Sequence, residues 1–388
     1  DSLNLMIAEI ALNRGDTDTA VEYYLRVARS QNSPEIAERA VRIAVYGQNL
    51  EAAIEAAQRW IELDPARIEA RQVIAAIFIR QDKVDEAFAY IDSLIATSGL
   101  EEAQVYPSML SILAREKNAE TVLVVSRRIA DKYTDSAYAQ YLHGMVAAQY
   151  GQAEESLAYL DRSLALDDIE GVLATRAKVL LRLGRSDEAV RSLQKAVAAN
   201  PDDKGLRLTY ARLLVDIKEY EKARVEFEIL QQASPNDAEL LYTLGLLSLE
   251  SQRLDDAEKY MRKLVELEQR EGEAQYYLGR IYENRRQYDQ AIEWYRQVHV
   301  GEYQFDARLR IADMLGQSGR IDAAMNHLDS MLRGSQSDGS LVRIYITKGE
   351  LLRGARRYED AMEVFNAALE IVPGNNDLLY ARALVAER

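Results

Sequence analysis

Small and large apolar residues recur along the chain at fixed offsets. A small residue stands at Ala20, Ala53, Ala87, Thr121, Ser156, Ala189, Ala223, Ala257, Ala291, Ala324 and Ala361, with 33 to 37 residues between successive positions. Four residues after each of these anchors comes a large apolar side chain: Tyr24, Ile91, Val125, Leu160, Leu193, Phe227, Met261, Tyr295, Leu328 and Phe365, with Ala57 as the exception in size. An interval of four keeps both positions on one helix face. Twelve residues before each anchor stand Ala8, Val41, Ala75, Met109, Gly144, Ala177, Ala211, Gly245, Gly279, Ala312 and Gly349. All but Val41 and Met109 are small, which predicts a second helix lying close against the first, since helix axes approach to about 8–10 Å only over small contact residues. The pattern therefore predicts eleven repeats of two antiparallel helices.

The breaks between helices carry their own signals. Pro65, Pro201, Pro235 and Pro373 fall twelve residues after an anchor, where a residue without an amide donor ends the second helix. Gly15, Gly151, Gly184 and Gly319 fall five residues before an anchor, where the first helix must end in a left-handed conformation. Ser33 and Pro34 read as an N-cap and first-turn proline. The expected organisation is a single array over 1–388. It contains an irregular repeat near 101–133, where Pro107, Met109 and Thr121 depart from the pattern, a longer Gly/Ser loop at 334–340, and a last helix over 377–388 that stops at the chain end.

Composition narrows the function. A net charge of −15 opposes a phosphate backbone or an anionic membrane surface as the main ligand. The absence of cysteine removes thiolate chemistry and disulfides. His143, His299 and His327 lie on different repeats in no metal-ligand spacing, and the chain has no phosphate-binding glycine loop or nucleophile elbow. Acidic pairs such as Glu154–Glu155 and Asp255–Asp256 read as first-turn residues that favour the helix dipole, and Arg285–Arg286 and Arg356–Arg357 as solvated cations at inter-helix turns. The expectation is a protein that is not an enzyme, with no metal, no cofactor and no nucleic-acid partner.

The period, together with Leu50 to Pro65, Tyr358 to Pro373 and the set Leu278, Gly279, Tyr282, Ala291, Tyr295 and Val298, resembles the tetratricopeptide-repeat family. The resemblance covers essentially the whole chain. It implies an all-α, right-handed superhelix of about eleven repeats whose inner wall is lined by the first helices. Positions fifteen, eleven and eight before each anchor are then expected on that wall, among them Arg212, Tyr242, Leu246, Leu249, Tyr276 and Arg280. With neighbouring Asn284 these form the expected site for a protein or extended peptide, because aromatic and arginine side chains dominate protein interfaces.

A narrower resemblance lies at the start. Ile7 to Ala11, Ala20, Tyr24 and Ser33 to Ala44 resemble repeat-containing outer-membrane lipoproteins of Gram-negative bacteria, including adaptors for a periplasmic carboxyl-terminal processing protease. This resemblance implies an adaptor that gathers the protease and its substrates, located in the periplasm and held at the outer membrane through a lipid anchor absent from this sequence. Two alternatives stay open: a scaffold subunit of an exopolysaccharide or pilus export machine, and the regulatory array of an enzyme whose catalytic domain lies outside this chain.

Overall fold

The structure, a computed structural model, describes residues 2–97, 99–334 and 337–387. Among the described residues all regular structure is α-helical. The helices pack into two compact units, Asp1–Ala199 and Asn200–Arg388. The first holds the pairs α1 (Ser2–Asn13) and α2 (Thr17–Ser30), α3 (Pro34–Tyr46) and α4 (Leu50–Leu63), α5 (Ile68–Arg80) and α6 (Val84–Thr97), α7 (Glu102–Leu113) and α8 (Ala119–Lys132), α9 (Ala137–Gln149) and α10 (Ala153–Leu166), and α11 (Val172–Arg182) and α12 (Ser186–Ala199). The second holds α13 (Lys204–Asp216) and α14 (Tyr220–Ala233), α15 (Ala238–Glu250) and α16 (Leu254–Glu266), α17 (Glu271–Asn284) and α18 (Tyr288–Gln297), α19 (Gln304–Gln317) and α20 (Ile321–Leu332), α21 (Asp338–Gly354) and α22 (Tyr358–Ile371), and finally α23 (Asn376–Ala386). Each unit is a solenoid in which, outside the fourth repeat, a helix packs on its pair partner and on the neighbouring helix of the adjacent repeat.

The spacing rules become contacts. The small residue twelve before an anchor receives the large side chain four after the same anchor. A Cβ added at Gly144 would stand 2.9 Å from Leu160 Cγ, and one added at Gly279 would stand 2.5 Å from Tyr295 Cδ1. Gly245 meets Met261 and Gly349 meets Phe365 in the same way. The receiving side chains Leu160, Met261 and Phe365 are fully buried and Tyr295 nearly so. The second repeat inverts the sizes, with Val41 and Ala57 at the equivalent positions and both buried. Large against small is thus conserved in sum across the pair, as close packing demands.

The turn inside each pair repeats too. Five residues before the anchor φ is positive at Gly15, Gly151, Gly184 and Gly319, and equally at Gln48, Asp82, Lys218, Gln252, Arg286 and Arg356. The left-handed turn is a property of the connection, and the non-glycine residues adopt it at a cost. The fourth repeat departs from this. Glu116 stands at its turn position without positive φ, buried and joined to Arg80 by two hydrogen bonds of 2.8 Å. There α7 runs through Pro107 and packs on α9, α5 and α6, while α8 packs on α6 and α9. With Met109 buried at the small position, the α7–α8 contact is displaced onto neighbouring repeats.

The prolines at 65, 201, 235 and 373 each follow a second helix that has ended two residues earlier. Ser33 caps α3, its hydroxyl accepting from the Ile36 amide at 3.3 Å with Pro34 in the first turn. The expected loop at 334–340 is shorter: Ser337 caps α21, so residues 338–340 form its first turn, and Ser335 and Gln336 lie outside the described residues. Arg357 does not stand free in its turn. It reaches Asp322 of the preceding repeat at 2.7 Å, as Arg320 reaches Asp289 at 2.6 Å and Arg285 reaches Asp255 at 2.5 Å. These pairs bridge a first-turn acid of one second helix to a turn arginine of the next repeat, and so help set the stacking register.

Candidate partner-binding surface

The exposed face of a first helix is the side turned away from its pair partner. In the second unit, α15, α17, α19 and α21 present it side by side, and α17 touches α19 as α19 touches α21. Leu246 and Leu249 on α15 are half-buried, as is Tyr242 one turn earlier. Arg212 on α13 and Asn284 at the end of α17 are exposed. Arg280 is half-exposed and forms no hydrogen bond or ion pair among the described residues. Tyr276 is different: only 6% exposed, it stacks on Tyr303 with ring centroids 4.6 Å apart and contacts Tyr295 at 5.7 Å. It belongs to the core with one edge at the surface.

An aromatic cluster joins the expected residues. Tyr242 meets Tyr277 edge to face at 5.9 Å, Tyr277 meets Tyr303 at 5.7 Å, and their hydroxyls are 3.4 Å apart. The Arg270 guanidinium lies 3.9 Å from the centre of the Tyr242 ring and is held by Glu239 and Glu273. Burial, then hydrogen bonding to Tyr303 and Tyr277, raises the Tyr242 phenol well above its ordinary pKa. The hydrogen bond to Tyr277 and partial burial push Tyr303 up to about 12. These hydroxyls stay protonated across the physiological range and act as neutral donors and acceptors.

Beyond this cluster the face holds a cavity of about 350 Å³, lined by Tyr276, Leu309, Ile346, Asp306, Arg310, Asp313, Arg343 and Thr347. Tyr276, Leu309 and Ile346 occupy the same register, fifteen before their anchors, and Asp313 lies eleven before its own. Arg310 donates to Glu283 Oε1 at 2.7 Å and approaches the Tyr276 hydroxyl at 3.4 Å. Tyr295 donates to Glu283 Oε2 at 2.6 Å. Arg343 pairs with Asp306 at 2.5 Å. Sequence reasoning reached Tyr276 and missed Arg310, Asp306, Arg343 and Thr347, which stand fourteen or eighteen before their anchors. The missing signal was the width of a helix face: those offsets adjoin position fifteen by one residue or one turn.

In the first unit, a buried polar row crosses three helices. His143, with no exposure, sits 2.9 Å from both Ser126 Oγ on α8 and Glu155 Oε1 on α10. Arg127 also donates to Glu155, at 2.7 Å. Burial lowers the His143 pKa, with Glu155 opposing. The neutral ring places Nε2 against the carboxylate and Nδ1 against the Ser126 hydroxyl, whose oxygen also bonds the Leu123 carbonyl. The residue types are those of a hydrolytic triad, but Ser126 is wholly buried, and the row ties helices together. His327 is half-buried with Nε2 2.9 Å from the Arg308 carbonyl, and His299 is exposed. Among the described residues no group of three or more His, Cys, Asp or Glu side chains could hold a metal ion, and no helix is long and apolar enough to cross a membrane.

Stacked helix pairs, small residues where the two helices cross and a continuous first-helix face define a repeat solenoid of the protein-interaction type. The chain belongs to the tetratricopeptide-repeat family, whose models match residues 5–68, 180–247, 242–307 and 342–375. It is 37% identical over 392 residues to a TPR repeat-containing protein of Pseudomonas aeruginosa, covering all of this chain and 65% of that protein's length. It is 28% identical over 222 residues to cellulose synthase operon protein C of Pseudomonas fluorescens, covering 52% of this chain and 17% of that one. Similar solved structures include a tetratricopeptide repeat protein of Parabacteroides merdae, with a TM-score of 0.40 and 17% identity over 67% of this chain and 98% of that one. Yeast Tom70 gives 0.35 and 12% over 100% and 96% of the two chains.

Proposed function

We propose that this protein is a binding scaffold that lays an extended segment of a partner protein along the first helices of its second unit. The observation that carries this reading is the run of half-exposed Tyr242, Leu246, Leu249 and Tyr277 beside Arg280, whose guanidinium has no partner among the described residues. Apolar and aromatic side chains give contact area at low entropic cost, and a free arginine can take up a carboxylate or carbonyl of the bound segment.

The partner system we propose is a periplasmic carboxyl-terminal processing protease and its substrates, with this chain as the adaptor that raises their local concentration. Support comes from the first two repeats, whose sequence resembles adaptor lipoproteins of the Gram-negative outer membrane. A location at that membrane belongs to the same proposal. A second reading, a scaffold in an exopolysaccharide export machine, draws on the 28% identity to cellulose synthase operon protein C. Capture from a Gram-negative periplasmic extract with the immobilised chain, beside the Leu246→Ala/Arg280→Ala variant, separates them. The adaptor reading expects a carboxyl-terminal processing protease by mass spectrometry, and expects its substrates to be lost with the variant. Recovery of export-machine subunits without the protease would favour the second reading.

A further inference from the structure

The cavity between α17, α19 and α21 has an unbalanced interior. Its lining carries Asp306, Arg310 and Asp313 from α19 and Arg343 from α21, and Glu283 from α17 stands behind Arg310, bonded to it. Three carboxylates therefore accompany two guanidiniums. Both guanidiniums are already engaged, Arg310 by Glu283 and the Tyr276 hydroxyl, Arg343 by Asp306 and by the Phe305 ring 5.0 Å away. Asp313 is the group left over. It forms no hydrogen bond and no ion pair among the described residues. A carboxylate partly withdrawn from water without a partner is unfavourable, and a cation supplied from outside relieves that cost.

The remaining walls suit the rest of such a ligand. Leu309 and Ile346 provide apolar surface for an aliphatic stem, and Tyr276 closes the wall between them and α17. A volume of about 350 Å³ admits one long side chain and its backbone, and is at the low end for a separate small-molecule site. The cavity also lies on the same first-helix face as Tyr242 and Arg280, centred on α19 two repeats beyond Tyr242 and one beyond Arg280, within reach of one extended strand.

We infer that this cavity is a specificity pocket for a lysine or arginine side chain of the extended partner segment, with Asp313 as its counter-charge and Tyr276, Leu309 and Ile346 as its walls. The inference rests on the scaffold reading above and adds a sequence preference to it. Burial, reinforced by Glu283 and opposed by Arg310, raises the Asp313 carboxyl to about 6, as expected of an acid waiting for a cation.

The test uses the full chain and fluorescein-labelled, capped nonapeptide pools of leucine, alanine, serine and tyrosine that differ only at the central residue: lysine, norleucine or glutamate. Fluorescence anisotropy at pH 7.5 should rank lysine above norleucine by about ten-fold or more, with glutamate weakest. Asp313→Asn, which keeps the shape and removes the charge, should erase the lysine preference and leave norleucine binding within about two-fold. Circular dichroism and the melting temperature confirm that this variant is folded; it loses an unpaired carboxylate and should melt no lower than the parent. Equal binding of lysine and norleucine pools, or a lysine preference that survives in Asp313→Asn, would overturn the pocket while leaving the extended-segment reading in place. Binding of no pool would overturn both.

Discussion

Gly279 lies directly beneath the ring of Tyr295, so close that a methyl group at Gly279 would stand 2.5 Å from both Cδ1 and Cε1. The ring cannot easily retreat, because its hydroxyl donates to Glu283 at 2.6 Å and the residue is 1% exposed. The same arrangement, a glycine under the large side chain sixteen residues later, recurs at Gly144, Gly245 and Gly349. It is the contact by which the two helices of a repeat recognise each other.

Gly279→Ala should therefore destabilise the protein despite the better helix propensity of alanine. Overpacking costs about 1–3 kcal/mol and propensity returns about 1 kcal/mol, so a net loss of about 1 kcal/mol is expected in urea unfolding. Adding Tyr295→Leu should restore room for the methyl group, making the double change less damaging than the sum of the single ones. Strict additivity would show that the two residues do not meet.

The turn five residues before each anchor offers the opposite experiment. Lys218 holds φ at 63°, a conformation that costs a non-glycine residue about 1–2 kcal/mol, part of which glycine gives back through unfolded-state entropy. Lys218→Gly should raise the urea midpoint by the equivalent of about 0.5–1 kcal/mol. Gly184→Ala, at φ 72°, should lower it by a similar amount.

His143 makes the first unit sensitive to acid. Burial depresses its folded pKa below the unfolded value of about 6.5, so the unfolded chain binds the proton more readily. The stabilisation is complete above about pH 6.5 and is lost as pH falls from there toward the folded pKa, by at most about 1.4 kcal/mol per pH unit. Unfolding free energies at pH 7.5 and 5.5 should differ more for the parent than for His143→Gln, which cannot titrate. A pH dependence unchanged by the substitution would place the acid sensitivity elsewhere.

Arg280 has no partner among the described residues, so Arg280→Ala should leave helicity and melting temperature almost unchanged, within about 0.5 kcal/mol. Tyr276→Ala should not be so mild. It removes a ring stacked on Tyr303 and packed on Tyr295, and a loss of about 3–5 kcal/mol is expected in chemical denaturation.

The contrast between these two residues marks how far the sequence could be read. Both stand at offsets that place them on one face of α17, and both belong to residue types common in interfaces. The helix period carries direction and carries no information about what lies opposite. Tyr276 is covered because Tyr303, from the start of the next repeat, reaches back over it, and Arg280 has no such neighbour. Arg357 and Asp322 make the same point: each reads locally as a group that suits a helix terminus, and only the stacking of two repeats brings them to 2.7 Å.

From the sequence alone follow the helix pairs and, outside the fourth repeat, their turn positions and the residues at which the two helices of a pair touch. All of these depend on backbone hydrogen bonding, proline and glycine geometry, and volumes within about 34 residues, which the order of residues specifies directly. The tertiary structure decided which side chains on the first-helix face are consumed by neighbouring repeats and which remain free. It also decided that Arg310, held by Glu283, and Asp313 share one cavity and that, among the described residues, Asp313 is left without a partner. Those outcomes depend on distances between different repeats, set by how close-packed pairs stack and twist on one another, and no local pattern contains them.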